Sequence, residues 1–227
     1  MTTAVIIARG GSKRIPRKNI KLFHGKPIIA YSIETAIKSK LFTNIIVSTD
    51  DREIADIAKS YGATVPFIRS AELSTDYTTT VEVMSDAVKK LALEDNEKVC
   101  CIYATAPFLQ SNDLSKAILL LEKIETEVVF AATHYAFPIQ RAITVDNKNT
   151  VTMLQPEHLN TRSQDLVETY HDAGQFYFAH AGYFRQKEPL FCQQAKVVIL
   201  PHYRVVDIDT LEDWHRAELM YSLQQKS

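Results

Sequence analysis

Residues 3–19 read TAVIIARGGSKRIPRKN. The first six of these residues are apolar or β-branched and predict a buried strand over residues 3–8. A glycine pair and a run of cations follow directly, so the strand leads into a loop whose backbone N–H groups can approach an anion closely. Such a loop is typical of an open α/β sheet, which binds ligands beyond the carboxyl ends of its strands.

The rest of the chain alternates short β-rich runs with amphipathic stretches, which indicates an α/β fold. At 227 residues the chain fits a single domain, residues 1–227. Strands are predicted over residues 3–8, 44–48, 65–68, 99–103, 128–132, 176–179 and 204–208. Helices are predicted over residues 27–38, 51–61, 79–93, 112–123 and 210–223. Residues 133–175 interrupt the alternation and are predicted to form an insertion on the active-site side, or a dimer arm.

The charge is distributed unevenly along the chain. The formal net charge is −1, yet residues 1–33 carry seven Lys or Arg and no Asp or Glu, so the remainder carries −8. A cationic loop on an otherwise acidic chain favours a local anion site. Nucleic acid is not expected as a partner, because it favours a broad basic face and an overall basic protein. The alternative interpretation is a solvated basic loop with a glycine turn.

Other simple patterns exclude several classes of protein. The loop matches neither GxxxxGK[ST] nor GxGxxG, which argues against kinases and dehydrogenases. No apolar run approaches the roughly 20 residues of a membrane span, and the start has no cationic leader. Three cysteines are an odd number, and the adjacent Cys100 and Cys101 should point to opposite faces of a strand. We therefore expect a cytoplasmic protein without a disulfide framework or a membrane contact.

Two late aspartates form the candidate metal site. Asp207 and Asp209 lie at the end of the strand predicted over residues 204–208, where a period of two puts both carboxylates on one face. Adjacent carboxylates repel each other, and Mg²⁺ relieves this while taking phosphate oxygens and water as further ligands. Alternatively, the two are loop and N-cap residues of the next helix. The rival pair, Asp50-Asp51, directly precedes a helical pattern and is predicted to cap it.

The loop and several later motifs carry a specific resemblance. Arg9-Gly10-Gly11-Ser12-Lys13, followed by Ile15-Pro16 and Lys18-Asn19, resembles the signature of the acylneuraminate cytidylyltransferase family. The similarity continues at Ser48-Thr49-Asp50-Asp51, Arg69 with Glu72-Leu73, Thr105-Ala106-Pro107-Phe108 and Asp207-Ile208-Asp209. Within the family, residues 138–142, 160–166 and 171–177 resemble the pseudaminic acid branch. Two departures are Ile7 and Ala104, where the family commonly has proline.

The resemblance implies a GT-A-like (Rossmann-like) nucleotidyltransferase domain with a mostly parallel mixed sheet. It also implies CTP as the donor, Mg²⁺ dependence and a homodimer. It assigns metal ligation to Asp207 and Asp209, and it supports a base-binding role for the segment around Arg69 and Thr80. Helix capping is the alternative role for the threonines of that segment.

Candidate residues follow from this resemblance and from side-chain chemistry. The nucleotide-binding candidates are Arg9, Gly10, Gly11, Ser12, Lys13, Lys18, Asn19, Arg69, Thr78 and Thr80. The catalytic candidates are Arg9, Lys13, Lys18, Asp207 and Asp209. The sugar-binding candidates are Tyr103, Gln140, Arg141, Arg162, His171, Asp172 and Gln175, for which packing, loop or dimer contacts are the alternative role.

The predicted reaction is attack by the anomeric hydroxyl of an acidic nine-carbon sugar on the α-phosphorus of CTP, with release of pyrophosphate, for cell-surface or flagellar glycans. Pseudaminic acid is the first choice of sugar, and N-acetylneuraminate or legionaminate is the alternative. An eight-carbon acid sugar is a further enzyme alternative. A non-catalytic nucleotide-binding module would keep the basic loop but lose the acidic pair. The residues leave the general base open between Asp209, a metal-bound hydroxide and bulk water.

Overall fold

A computed structural model of the chain describes residues 1–225. Its strands are β1 (Thr2–Ile7), β2 (Leu22–Phe23), β3 (Lys26–Pro27), β4 (Asn44–Ser48), β5 (Lys98–Tyr103), β6 (Val128–His134), β7 (Ile143–Val145), β8 (Val151–Met153), β9 (Tyr170–His180) and β10 (Ala195–Ile199). Its α-helices are α1 (Ile28–Ser39), α2 (Arg52–Ser60), α3 (Thr80–Lys90), α4 (Ser111–Leu121), α5 (Ala181–Gln186) and α6 (Leu211–Gln224). The predicted α/β class is confirmed.

Six strands form one mixed sheet in the order β10-β6-β9-β5-β1-β4. Only β9 runs antiparallel to its neighbours, and the other pairs are parallel. In this register Ile7, Ser48 and Tyr103 lie side by side at the carboxyl ends of β1, β4 and β5. The cationic loop after β1 therefore starts at the sheet edge where open α/β folds bind their ligands.

Helices cover both faces of this sheet. One buried cluster joins the sheet to α1, α2 and α4, and a second joins it to α3 and α5. A third cluster lies beside the carboxyl edge of the sheet. It packs Ile15 of the cationic loop with Ile208 and with Trp214 of α6, all of which are at most 2% exposed. This cluster fastens the start of the chain to its end.

Two predicted strands are wrong. Residues 204–208 contain the end of a 3-10 helix, His202–Arg204, followed by irregular backbone. The guanidinium of Arg204 forms a buried ion pair with Asp113 at 2.6 Å, which fixes this segment against α4 instead of in the sheet. Residues 65–68 make only an isolated bridge, because Pro66 has no N–H to extend a ladder.

Other elements differ from the predictions by omission. The edge strand β10, the short helix α5 and the hairpins β2–β3 and β7–β8 were not predicted. The β7–β8 hairpin lies within residues 133–175, where only short elements interrupt irregular backbone before β9 begins. Among residues 1–225, no helix combines the length and the apolar character that crossing a membrane requires.

Candidate functional site

Hydrogen bonds and ion pairs, within the loop and to the residues that follow β4, fix the conformation of the cationic loop after β1. The N–H of Gly10 donates to Asp50 Oδ1 at 2.9 Å, and the side-chain amide of Asn19 donates to the carbonyl of Arg9 at 2.9 Å. Arg17 forms ion pairs with Asp51 and Glu53 of the next loop and helix. The loop is therefore fixed by charged groups that face away from its open side.

The two glycines have different surroundings. A Cβ on Gly10 would lie 2.7 Å from Asp51 Oδ2, whereas a Cβ on Gly11 would meet nothing within 4 Å. Asp51 cannot move freely, since it caps α2 by accepting from the N–H of Ile54. The prediction that Asp50-Asp51 caps α2 is confirmed for Asp51. Gly10 thus serves close packing, and its N–H is already used within the chain.

A cleft of about 310 Å³ opens above the loop, and we call it the loop cleft. The predicted nucleotide-binding residues that line it are Arg9, Ser12, Lys13, Lys18, Asn19, Arg69, Thr78 and Thr80. Gly10 and Gly11 are not among its lining residues. Asp209 also lines the loop cleft, so the two ends of the chain meet at one cleft.

Each of the five lysines and arginines that line the loop cleft is paired with a carboxylate of the chain itself. Arg69 lies 3.8 Å from Asp50. Arg9 and Lys13 contact Asp76 at 2.7 and 2.6 Å. Arg14 and Lys18 contact Asp209 at 2.7 and 3.3 Å. The hydrogen bond from Lys13 is the main reason that the pKa of Asp76 lies below its ordinary value. The five cations share only three carboxylates, Asp50, Asp76 and Asp209, so an excess of positive charge remains for a ligand.

The far wall of the loop cleft is built by the segment that precedes α3. The Arg69 side chain is buried and donates to Ser74 Oγ at 3.0 Å and to the carbonyl of Ser48 at 3.3 Å. Its burial lowers the pKa of the guanidinium, while Asp50 opposes that shift. Thr79 caps α3, which leaves the hydroxyl of Thr80 to pair with the Tyr103 hydroxyl at 2.7 Å.

A larger cavity of about 850 Å³ lies next to the loop cleft, and we call it the β9 cavity. Three predicted sugar-binding residues line it: Tyr103, His171 and Asp172. Tyr103 lines both spaces, and burial raises its pKa to about 12. The carboxylate of Asp172 accepts from the Tyr177 hydroxyl and, at 2.9 Å, from the N–H of Gly174. Asp172 is thus oriented by β9 itself.

Asp207 and Asp209 lie where the two spaces meet. Asp209 lines the loop cleft and Asp207 lines the β9 cavity. Ile208 between them is 2% exposed and anchors the turn in the third cluster. The strand period invoked for this pair is wrong, since no strand forms here. Partial loss of water raises the pKa of Asp207, and the neighbouring charge of Asp209 raises it further.

Four sugar-binding candidates line neither space within this chain: Gln140, Arg141, Arg162 and Gln175. Arg141 donates to the carbonyl of Thr161, and Arg162 pairs with Asp165 at 2.8 Å. The buried amides of Gln140 and Gln175 donate to the carbonyls of Val167 and Arg204. Within residues 1–225, both of these amides leave their oxygen atoms without a hydrogen-bond partner.

Sequence reasoning missed several residues that line the two spaces, among them Arg14 and Asp76 in the loop cleft and Tyr177 and Arg216 in the β9 cavity. Asp76 lies in the threonine-rich turn for which base binding and helix capping were the predicted roles. Arg216 lies on α6, which was predicted as a helix without any role, and it lines the β9 cavity. Asp76 follows the predicted ligand Arg69, and Arg216 follows the predicted ligand Asp209. Counting the charged residues in these two segments would have identified both.

Comparisons with known proteins agree with these features. A family model described as Cytidylyltransferase matches residues 3–225. Pseudaminic acid cytidylyltransferase of Campylobacter jejuni subsp. jejuni serotype O:23/36 (strain 81-176) is 43% identical over 225 residues, which are 98% of this chain and 97% of that protein. CMP-N,N'-diacetyllegionaminic acid synthase of Legionella pneumophila is 31% identical over 229 residues, covering 99% of this chain and 97% of that protein.

Solved structures show the same fold. The structure described as CMP:2-keto-3-deoxy-manno-octonic acid synthetase complexed with CTP is similar with a TM-score of 0.70. The similarity covers 98% of this chain and 99% of that chain at 15% sequence identity. At this identity the likeness shows a shared architecture, including the predicted mostly parallel mixed sheet.

Proposed function

We propose a specific reaction for this chain, which belongs to the cytidylyltransferase family and is thus a nucleotidyltransferase. It transfers CMP from CTP to the anomeric hydroxyl of pseudaminic acid and releases pyrophosphate. The choice of sugar is supported by 43% identity to a pseudaminic acid enzyme against 31% to a legionaminic acid enzyme. The observation that carries the reaction is the meeting of the cationic loop cleft with the β9 cavity at Asp207 and Asp209.

The loop cleft is the proposed site of CTP. Its cations attract the triphosphate, and the oxygens of the leaving pyrophosphate take the place that the Asp76 carboxylate holds on Arg9 and Lys13. Such fixed cations stabilise the charge that develops as the α–β phosphate bond breaks. The wall at Thr78 and Thr80 is the proposed contact of the cytosine base, since both residues line the cleft beyond the cations.

Asp207 and Asp209 are the proposed ligands of Mg²⁺. The donor set fits this ion, because Mg²⁺ takes one or two carboxylates with phosphate oxygens and water, and Asp209 lines the cleft proposed for the triphosphate. The carboxylate of Asp207 also makes no hydrogen bond or ion pair within residues 1–225. When bound, the ion polarises the α-phosphoryl group. Lys18 then orients Asp209, to which it lies at 3.3 Å.

The β9 cavity is the proposed site of the acceptor sugar. Asp172 offers a fixed carboxylate to sugar hydroxyl or amide N–H groups, because Tyr177 and Gly174 already orient it. Tyr103 lines both the cavity and the cleft, so it lies at the boundary between the two proposed substrate sites. Holding both reactants in adjacent spaces supplies much of the rate enhancement expected of such an enzyme.

A homodimer is the proposed assembly, with residues 133–175 as its arm. Several large apolar side chains of that segment are exposed, among them Phe137 at 83% and Val167 at 77%. A second copy of the chain would cover them and would receive Arg141 and Arg162, which line neither the loop cleft nor the β9 cavity of their own chain. Sedimentation velocity should give a dimer that Phe137→Asp weakens, and a monomer at micromolar concentration would contradict this assembly.

The cytoplasm is the proposed compartment, since CTP is available there. This is supported by the three free thiols, two of which, Cys100 and Cys101, are fully buried on β5. Burial raises the pKa of both thiols, which makes them unreactive towards oxidants.

The direct test measures pyrophosphate release from CTP and Mg²⁺ with pseudaminic, legionaminic and N-acetylneuraminic acids, together with mass spectrometry of the CMP-sugar. We expect the highest kcat/KM with pseudaminic acid and no release without an acceptor. Preference for another acid would overturn the choice of sugar. No release with any acceptor would overturn the catalytic role and leave a nucleotide-binding module.

A further inference from the structure

The charged groups that line the β9 cavity are unevenly matched. Two carboxylates, Asp172 and Asp207, face a single lysine or arginine, which is Arg216. Asp207 is a proposed ligand of Mg²⁺, and His171 and His202 also line the cavity, so Arg216 is the one permanently charged cationic side chain that this lining offers to an acceptor carboxylate. Coulomb attraction across a few ångströms is large enough at the protein surface to influence where the acid group lies.

Among the residues that the structure describes, Arg216 differs from most arginines in forming neither an ion pair nor a side-chain hydrogen bond. The hydrogen bond from Thr210 is the main reason that the pKa of Asp213 on the same helix is lowered, and the charge of Arg216 helps to lower it. Seven of the ten arginines form ion pairs with carboxylates, namely Arg9, Arg14, Arg17, Arg69, Arg162, Arg185 and Arg204. Arg141 donates to a backbone carbonyl. Within residues 1–225, only Arg216 and Arg52 have neither an ion pair nor a hydrogen bond from the side chain. Of these two, Arg216 is the one beside the acceptor.

The backbone that carries Arg216 is held rigidly against the metal-binding turn. Thr210 and Asp213 form a capping box at the start of α6. Trp214 and Ala217, which flank Arg216 along the helix, are buried at 1% and 0% exposure. Because this helix begins two residues after Asp209, the position of Arg216 relative to the acidic pair is fixed by the fold. Only the flexible side chain of Arg216 needs to change conformation to bind a ligand.

The chemistry of the guanidinium fits a carboxylate. Its planar donors bind both oxygens of a carboxylate at once, and such charge-assisted pairs are about twice as strong as neutral hydrogen bonds. We propose that Arg216 binds the carboxylate of the acceptor sugar and so selects acidic acceptors. This inference rests on the proposed function, and it assigns to α6 a role that Arg141 and Arg162 do not fill within one chain.

The test compares an acidic acceptor with its neutral counterpart. The variants are Arg216→Gln and Arg216→Lys, with Arg52→Gln as the control for loss of an exposed, unpaired arginine. The acceptors are pseudaminic acid and its C1 carboxamide. For Arg216→Gln we expect the KM of the acid to rise about 10- to 100-fold, while the KM of CTP stays within twofold. With the carboxamide the variant should equal the wild type, and Arg216→Lys should restore part of the affinity for the acid.

Several outcomes would overturn this inference. One is an unchanged KM for the acid, and another is an equal loss with the acid and the carboxamide, which would indicate a structural effect. An unaltered thermal midpoint and an unaltered CTP affinity verify that the variants are folded. Failure of the wild type with every acid would instead overturn the proposed function. An active wild type whose discrimination does not depend on residue 216 would overturn the role of Arg216 alone.

Discussion

The loop cleft and the β9 cavity differ in how their cationic side chains are paired. In the loop cleft, Arg9 and Lys13 are paired with Asp76, and Lys18 is paired with Asp209. In the β9 cavity, Arg216 has no such partner in the described part of the chain. A triphosphate must therefore exchange with carboxylates that are already bound, whereas an acidic sugar adds a partner that is missing. The comparison indicates that the first site is preformed and the second is completed by its ligand.

The largest effect should come from Asp209, which lines the loop cleft and is a proposed metal ligand. Asp209→Asn should lower kcat about 10³-fold, because it removes a proposed metal ligand at the reacting bond. The KM of CTP should not rise, since the variant frees Arg14 and Lys18 for the phosphates. Steady-state kinetics over a Mg²⁺ series provide the measurement, and Asp56→Asn on the exposed side of α2 is the control. Full activity of Asp209→Asn would remove this aspartate from the mechanism.

The second prediction concerns the buried ion pair that fixes the segment before Asp207 against α4. Asp113 and Arg204 form a buried ion pair, with side chains 2% and 9% exposed. Asp113→Asn leaves a buried guanidinium without its counter-charge and should lower the free energy of unfolding by about 3 kcal/mol. Urea denaturation measures this loss. Glu122→Gln, which breaks the exposed pair with Lys98, should cost less than about 1 kcal/mol, and equal losses would contradict the assignment.

The third prediction compares the two glycines of the cationic loop. The expected change in the free energy of unfolding is smaller, but the two positions should differ clearly. Gly10→Ala should destabilise the fold by about 2 kcal/mol, since its Cβ meets the carboxylate of Asp51. Gly11→Ala should leave the free energy of unfolding unchanged within about 0.5 kcal/mol, because open space surrounds that position. Thermal or urea unfolding distinguishes them. Similar stability of the two variants would mean that the loop is not held in the described way.

The smallest effect is expected for Asp76→Asn. Here the direction of the change in the KM of CTP is what tests our account. If the Asp76 carboxylate competes with the triphosphate, Asp76→Asn should lower the KM of CTP by about two- to fivefold. The change should shrink at 1 M salt, where screening removes weak surface pairs. Asp56→Asn, which breaks an exposed pair with Lys59 on α2, is the control. A higher KM would show that Asp76 assists nucleotide binding instead of opposing it.

The architecture and the cationic loop were predictable because each depends on local sequence. The alternation of β-rich runs with amphipathic stretches specified the α/β class, and the absence of acids before Glu34 marked the loop. The strand predicted over residues 204–208 failed because Arg204 is drawn to Asp113, which lies 91 residues away in the chain. A contact between residues so far apart in the sequence produces no pattern of hydrophobic periodicity from which it could be predicted.

The acceptor side was less predictable for a related reason. Arg141 and Arg162 were chosen because they lie in an irregular segment, yet local partners use both side chains. Arg216 lies on a helix whose exposed face has no distinguishing pattern, and only the folded chain brings it to the same cavity as Asp207. Sequence reasoning therefore placed most of its nucleotide-binding candidates at one cleft and overlooked Arg216.

The most direct measurement is a crystal structure of the protein with CTP and Mn²⁺, which replaces Mg²⁺ and gives an anomalous signal. Our account predicts an anomalous peak at Asp207 and Asp209, and triphosphate oxygens in place of Asp76 on Arg9 and Lys13. A peak at Asp50 and Asp51, or a triphosphate bound away from the loop cleft, would contradict it.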